Sequence, residues 1–276
     1  MSGSVMQGIG CSADHKDPTL NSPLFSCVVP VKGDRPYLQE AVQSLYAQGV
    51  GDSLEIIIQD GDIESDSGLS DALNRGFSKA KGEWLFWLNA DDVLLDGALM
   101  CLRDAIFANP QSEWFAGNTK YLGEDGSHIG VRWNSRWHSF LYRYLAVWTG
   151  GPSSFFKKAL WERLGGFDTS LRFMMDIDLW TRWARQGVRY EVLPQLIWGF
   201  RVHHGSLTTG GCHDKELVEE AERFAVTQGL RNQKFWRLLM RVTQVADGSW
   251  WRRLRLNHAR AGVLAGVKTQ CDKGIR

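Results

Sequence analysis

From Phe25 to Pro110, short apolar runs alternate with stretches whose apolar positions recur at helical spacing. Phe25-Ser26-Cys27-Val28-Val29-Pro30-Val31 is short, apolar and β-branched, which predicts a buried strand. A Gly-Asp-Arg-Pro turn follows. Leu38, Ala41, Val42, Leu45 and Tyr46 then share one helical face, with Pro36 suited to a first turn. Leu54 to Gln59 predicts a second strand, ended by Asp60-Gly61-Asp62, and Leu69, Ala72, Leu73, Gly76, Phe77 and Ala80 form the next helical stripe. Trp84 to Leu88 predicts a third strand, and Leu99, Leu102 and Ile106 a third helix that stops at Asn109-Pro110. Strict alternation of strand and helix implies a mainly parallel sheet with right-handed crossovers, flanked by helices. Ligands of such sheets bind outside the carboxyl ends of the strands. The loops at those ends, Lys32–Arg35, Asp60–Ser70 and Asn89–Val93, are charged or polar and predict one shared pocket.

Beyond Pro110 the pattern is less regular. Glu124-Asp125-Gly126-Ser127 predicts a hairpin turn between strands at Trp114–Leu122 and Ile129–Val131. Ser153–Phe156 predicts a strand and Ala159–Leu164 a helix, broken by Gly165-Gly166-Phe167-Asp168. Asp176–Gln186 predicts a further helix, and Tyr190–Leu193 and Ile197–Val202 two more strands. From Asp214 onward the pattern is helical. Met1–Pro23 has no periodicity and reads as a flexible lead-in. The expected organisation is a flexible segment over 1–23, an α/β domain over 24–212 and a helical C-terminal extension over 213–276.

Composition narrows the function classes. A net charge of +1 gives no overall pull toward nucleic acid or anionic lipid. Cysteines at 11, 27, 101, 212 and 271 are odd in number and unpaired in spacing, which argues against a disulfide framework or a zinc site. No transmembrane segment is expected, because no apolar run approaches the roughly 18 residues a span needs. The N-terminus also lacks the pattern of a signal peptide, so the expected location is cytoplasmic. In the C-terminal region Phe235–Arg241 and Trp250–Arg255 mix aromatic and basic residues. They read either as an amphipathic helix packed on the domain or as a peripheral contact with the inner face of the membrane.

Chemistry concentrates in a few carboxylates. Asp91 and Asp92 directly follow the third strand, where two adjacent charges are costly unless a cation meets them. Mg²⁺ or Mn²⁺ carrying a diphosphate suits such a pair; the alternative is a turn in which one of them caps the helix starting near Gly97. Asp60, at the end of the second strand, can accept from a nucleobase N–H or a ribose hydroxyl, or belong to a tight turn. Asp66 and Asp71 bracket a helix start, the usual place of caps. Asp176 and Asp178 are two positions apart, about 200° of helical rotation, so they cannot face one pocket together. Asp178 has the spacing of an ion pair with Arg182, whereas Asp176 shares a face with Ile177, Trp180 and Ala184 and points nearer the core. Lys32, Arg35, Arg75 and Arg201 stand near the expected pocket.

Three blocks in order carry a family resemblance. Asp66-Ser67-Gly68-Leu69-Ser70-Asp71-Ala72-Leu73-Asn74-Arg75-Gly76-Phe77, then Ala80-Lys81-Gly82-Glu83, then Leu88-Asn89-Ala90-Asp91-Asp92 form the first. Leu164-Gly165-Gly166-Phe167-Asp168 followed by Asp176-Ile177-Asp178-Leu179-Trp180-Thr181-Arg182 is the second, and Arg201-Val202-His203-His204-Gly205-Ser206 the third. Together they resemble glycosyltransferase family two over roughly residues 24 to 210. The resemblance implies a GT-A, Rossmann-like fold and metal-dependent, inverting transfer of a sugar from a nucleotide-sugar donor, with uridine the habitual base. The acceptor would be a glycan or lipid-linked molecule of cell-surface polysaccharide or glycoconjugate synthesis. It places Pro30, Val31, Asp60, Asp66, Asp71, Asn74, Asn89 and Asp91 around the donor, Asp92 and His203 on a divalent cation, and Asp176 as the base that takes the acceptor proton. The chain departs from the family in its loop after the second strand, where Asp60-Gly61-Asp62-Ile63-Glu64-Ser65 runs almost straight into Asp66.

Two other classes compete. A sugar-phosphate nucleotidyltransferase shares the sheet but needs a Gly-rich phosphate loop, and Pro30–Arg35 holds a single glycine. A non-catalytic nucleotide-sugar-binding module would fit the shortened Asp60–Ser70 loop.

Overall fold

In the computed structural model the described residues are 22–207, 213–229 and 242. The aromatic and basic segments at 235–241 and 250–255, and the lead-in before Ser22, lie outside them.

The first half follows the hydrophobic pattern. Strand β1 (Phe25–Val31), helix α1 (Leu38–Tyr46), β2 (Leu54–Asp60), α2 (Leu69–Lys79), β3 (Trp84–Trp87) and α3 (Ala98–Ala108) form in the expected order. β1 pairs in parallel with both β2 and β3. Side chains of β1 alternate between two cores. Phe25, Cys27, Val29 and Val31 pack with α1 and α3, while Val28 packs with Leu73 and Phe77 of α2. Gly76 lets α2 lie this close: a Cβ there would stand 2.4 Å from a Val28 methyl.

The second half makes the sheet mixed, and this corrects the expectation of a mainly parallel one. A two-residue strand β4 (Val93–Leu94) is followed by β5 (Trp114–Leu122), β6 (His128–Arg132), β7 (Ser154–Lys157) and β8 (Glu191–Arg201), with helices α4 (Lys158–Leu164), α5 (Met175–Arg185) and α6 (Asp214–Thr227). The sheet order is β2-β1-β3-β7-β5-β8-β4, with β6 on β5. The β5–β6 hairpin and the loop behind it bring the chain back so that β7 enters antiparallel between β3 and β5. β8 runs parallel to β5, and β4 antiparallel to β8. The two strands expected at Tyr190–Leu193 and Ile197–Val202 are one continuous strand. Pro194 is tolerated there because the register with β5 shifts and Asn118 Nδ2 donates to the Leu193 and Gln195 carbonyls, both at 2.9 Å.

Most tryptophans serve the core. Trp114, Trp180 and Trp183 are fully buried and interlock, with Trp114 and Trp180 stacked at 4.8 Å between ring centroids. This cluster fixes α5 against the sheet and so sets where the helix begins.

Candidate active site

The carboxyl ends of β1, β3 and β8, the amino end of β7 and the start of α5 meet on one side of the sheet. They enclose a cavity of ≈ 390 Å³. Lys32, Asp34 and Arg35 line it from the loop after β1, Asn89, Ala90 and Asp91 from the loop after β3, and His203 from beyond β8. Gly151, Pro152, Trp87, Trp198 and Asp176 form the opposite wall.

Asp176 stands in the first turn of α5. Its Oδ1 accepts the Ile177 N–H at 2.8 Å. The Gly150-Gly151-Pro152 segment crosses directly over it. A Cβ on Gly151 would lie 3.0 Å from Asp176 Oδ2 and 2.4 Å from the Trp87 ring, so only glycine lets the backbone pass. Burial pushes the Asp176 carboxyl up to about 6; the Ile177 N–H and the Arg132 charge oppose the shift without cancelling it. Asp178 points the other way and is buried, its Oδ2 accepting from Arg182 Nε at 2.7 Å. Arg182 is half-buried in this pair and also donates to the Leu164 and Gly166 carbonyls.

The two adjacent aspartates separate. Asp91 faces the cavity, and its Oδ2 lies 3.0 Å from His203 Nε2. Gly205 N–H donates to His203 Nδ1 at 3.2 Å, which leaves Nε2 as the proton-bearing nitrogen that donates to Asp91. Asp92, expected on the metal, is 1 % exposed and does not line the cavity. Its Oδ1 accepts the Arg201 N–H at 2.9 Å and its Oδ2 the Asn89 side-chain amide at 2.9 Å. Burial, and after it the neighbouring Asp91 charge, push the Asp92 carboxyl well above the usual carboxylate range.

The remaining donor positions divide. Pro30, Val31, Asn89 and Asp91 line the cavity; Asp60, Asp66, Asp71 and Asn74 do not. Asp60 receives both Arg35 guanidinium nitrogens, at 2.7 and 2.9 Å, and Arg35 also reaches Asp62 at 2.6 Å. Asp66 accepts from Lys32 and from the Gly68 N–H, and Asp71 from the Ser67 N–H and Arg75. Asp66 and Asp71 thus brace the loop leading into α2, whose N-cap, Gly68, has no side-chain cap. Asn74 locks α2 to the Gly-Gly-Phe loop, donating to the Phe167 carbonyl and accepting its N–H, both at 2.9 Å. The short loop after β2 therefore reaches the cavity only through Leu69. Sequence reasoning missed the Gly150-Gly151-Pro152 wall, whose adjacent glycines and proline were the available signal.

A family model described as "Glycosyl transferase family 2" matches residues 63–157. The match holds Asn74, β3 and the Asp91–Asp92 loop, and ends with β7. Over that segment this chain is similar to glycosyl transferase family 2. Its similar proteins include an uncharacterized glycosyltransferase of Rickettsia typhi, 24% identical over 233 residues, which span 72% of this chain and 70% of that protein. A PGL/p-HBAD biosynthesis glycosyltransferase of Mycobacterium bovis is 31% identical over 98 residues, covering 27% of this chain and 38% of that one. Among solved structures, S. aureus TarS 1-349 in complex with UDP-GlcNAc aligns with TM-score 0.51 and 15% identity over 76% of this chain and 67% of that one. A longer TarS structure aligns at 0.50 and 17% identity, with this chain covering 43% of it. These likenesses support a GT-A-like fold for this chain, on its mixed sheet.

The family implies a divalent cation, and the donor set here tests that. No group of three or more His, Cys, Asp or Glu side chains able to hold a metal occurs among the described residues. Asp91 nevertheless offers carboxylate oxygens to the cavity. Mg²⁺ and Mn²⁺ take one or two carboxylates and fill their remaining positions with phosphate and water, so Asp91 fits such an ion. His203 as a direct ligand would have to move its proton to Nδ1 and give up the Gly205 contact.

Proposed function

We propose that this chain is an inverting glycosyltransferase that moves a sugar from a uridine-diphosphate sugar to an acceptor hydroxyl, in the synthesis of a cell-surface polysaccharide or glycoconjugate. The observation that carries the reading is Asp176, a carboxylate of raised proton affinity facing the same cavity as Asp91. An attacking hydroxyl must lose its proton as the new bond forms. A carboxylate titrating near 6 is ionised at neutral pH, yet a stronger base than a solvated aspartate. Asp176 takes that proton. Trp87 and Gly151 hold it in place and exclude water from one side. Lys32 and Arg35 supply positive charge at the opposite wall, where the diphosphate leaves. Asp91, oriented by His203, would hold a divalent cation there, which would supply charge neutralisation of that diphosphate. The uridine assignment takes its support from the UDP-GlcNAc complex of the TarS fold relative. The acceptor is a glycan or lipid-linked hydroxyl, met at a cytoplasmic or inner-membrane location.

Calorimetry with UDP-sugars and Mn²⁺, paired with a UDP-release assay, tests the reading. Asp176→Asn keeps donor binding and loses about 10²–10⁴-fold in turnover, the usual weight of a general base. Asp91→Ala loses the Mn²⁺-dependent part of donor binding. Normal turnover by Asp176→Asn removes the base assignment.

A further inference from the structure

Helix α6 lies outside the segment matched by the family model and packs on the start of α5. Phe224, with Leu217, Ala221 and Ala225, rests against Phe173, Met174 and Ile177. Within this apolar contact sits a carboxylate, Glu220, only 4 % exposed. A buried charge is costly unless fully hydrogen-bonded, and here backbone donors meet it. Glu220 Oε1 accepts the N–H groups of Phe173 and Met174, both at 2.7 Å, and Oε2 accepts that of Arg172 at 3.0 Å.

Those donors matter because of where α5 begins. The N-cap residue Met174 has no side chain that can cap, and its own N–H and those of Arg172 and Phe173, which lead into the helix, find their acceptor in Glu220. Glu220 supplies the acceptor from another helix, and its negative charge suits the positive end of the α5 dipole. Asp176 follows two residues after Met174, and Arg172, Phe173, Met175 and Asp176 all line the cavity. The chain just after α6 ties both ends of α5: Gln228 donates to Asp178 Oδ1 in the first turn at 3.1 Å, and Arg185 Nη2 in the last turn donates to the Gln228 carbonyl at 2.6 Å.

We propose that Glu220 is a positioning residue for sugar transfer: by capping α5 from α6 it sets the place of the Asp176 carboxylate. The assignment rests on the transferase reading above, and makes α6 a working part of the catalytic unit rather than an appendage.

The test uses the full chain with UDP-glucose, UDP-galactose and UDP-GlcNAc in Mn²⁺, reading UDP release per calorimetrically counted donor site. Misplacing a reacting group by about 1 Å can cost 10²-fold. Glu220→Ala is expected to lower kcat by about 10–100-fold with the donor KM within about twofold, since donor contacts are elsewhere. Glu220→Gln keeps an oxygen for Phe173 and Met174 but turns an amide toward the Arg172 N–H. It should fall between wild type and Ala, and it carries the test alone if the Ala variant does not fold. Unchanged kcat per site in the folded variants, or a raised donor KM at constant kcat, overturns the proposal while leaving the transferase reading intact. A wild-type chain that releases no UDP from any of these donors overturns the transferase reading, and this assignment with it.

Discussion

Asp176 is held where its ionised form is disfavoured, so its chemistry and its effect on stability are linked. Its carboxyl titrates near 6 in the folded chain against 3.8 for the unperturbed group. Between those values the folded state binds the extra proton, so stability falls as pH rises through the window, and the loss is complete above about pH 6. At low pH both states are protonated and nothing is lost. Asp176→Asn removes the charge that burial penalises. It should stabilise the chain by about 1–3 kcal/mol at pH 8 and by little near pH 4. That range follows because each tenfold change in proton affinity is worth about 1.4 kcal/mol, part of which water in the cavity screens. Denaturant unfolding of both proteins at the two pH values checks this; an equal difference at both would show that Asp176 is not the group that titrates. That Asp176 and Asp178 diverge was legible in the sequence, because helical rotation separates them; that Asp178 is the more deeply buried of the two was not. Nor was the division between Asp91 and Asp92. Which of two consecutive aspartates turns inward depends on a pairing more than a hundred residues away, where β8 presents the Arg201 N–H to Asp92.

That pairing is the element that shapes the floor of the cavity. β4 has two residues and pairs with β8 at Gly199 and Trp198. Asp92 extends the contact through the Arg201 N–H, and Arg201 Nε donates to the Asp91 carbonyl at 3.0 Å. The Arg201 guanidinium is itself buried, above the Tyr37 ring and beside Glu40. Removing the Asp92 carboxylate leaves a buried backbone donor without its acceptor. Asp92→Ala is therefore expected to cost about 1–3 kcal/mol, while Asp91→Ala, whose side chain faces the cavity, stays within about 0.5 kcal/mol. Urea denaturation separates the two, and a larger loss at Asp91 would contradict the assigned roles. β1, β2, β3 and the helices between them were legible because each is long and periodic and crosses over locally. β4 is too short to carry a pattern. The reversed direction of β7 is a consequence of chain return, to which the alternation of apolar residues is blind. Two strands were expected on either side of Pro194, and only the Asn118 side chain, reaching across from β5, shows why the strand continues.

Taken whole, the molecule gathers its cationic and anionic wall residues around one cavity although its net charge is only +1. Lys32, Arg35, Asp91 and Asp176 all line it. Arg35 is at present committed to Asp60 and Asp62, and its hydrogen bond is the main cause holding the Asp62 carboxyl below the usual range. A diphosphate entering beside Arg35 competes with those carboxylates for the guanidinium. Without a cation it also meets the uncompensated charge of Asp91. Binding of UDP should accordingly depend on Mn²⁺ more than on either basic residue. A ligand that binds only the folded state at a hundred times its Kd adds about 2.7 kcal/mol, or roughly 5–11 °C in Tm for a chain of this size. UDP with Mn²⁺ is expected to raise Tm by that amount, EDTA to abolish the rise, and Asp91→Ala to behave as wild type does in EDTA. A Tm rise that survives EDTA undiminished would mean that the side chains alone hold the diphosphate, and would move the weight of the site from Asp91 to Lys32 and Arg35.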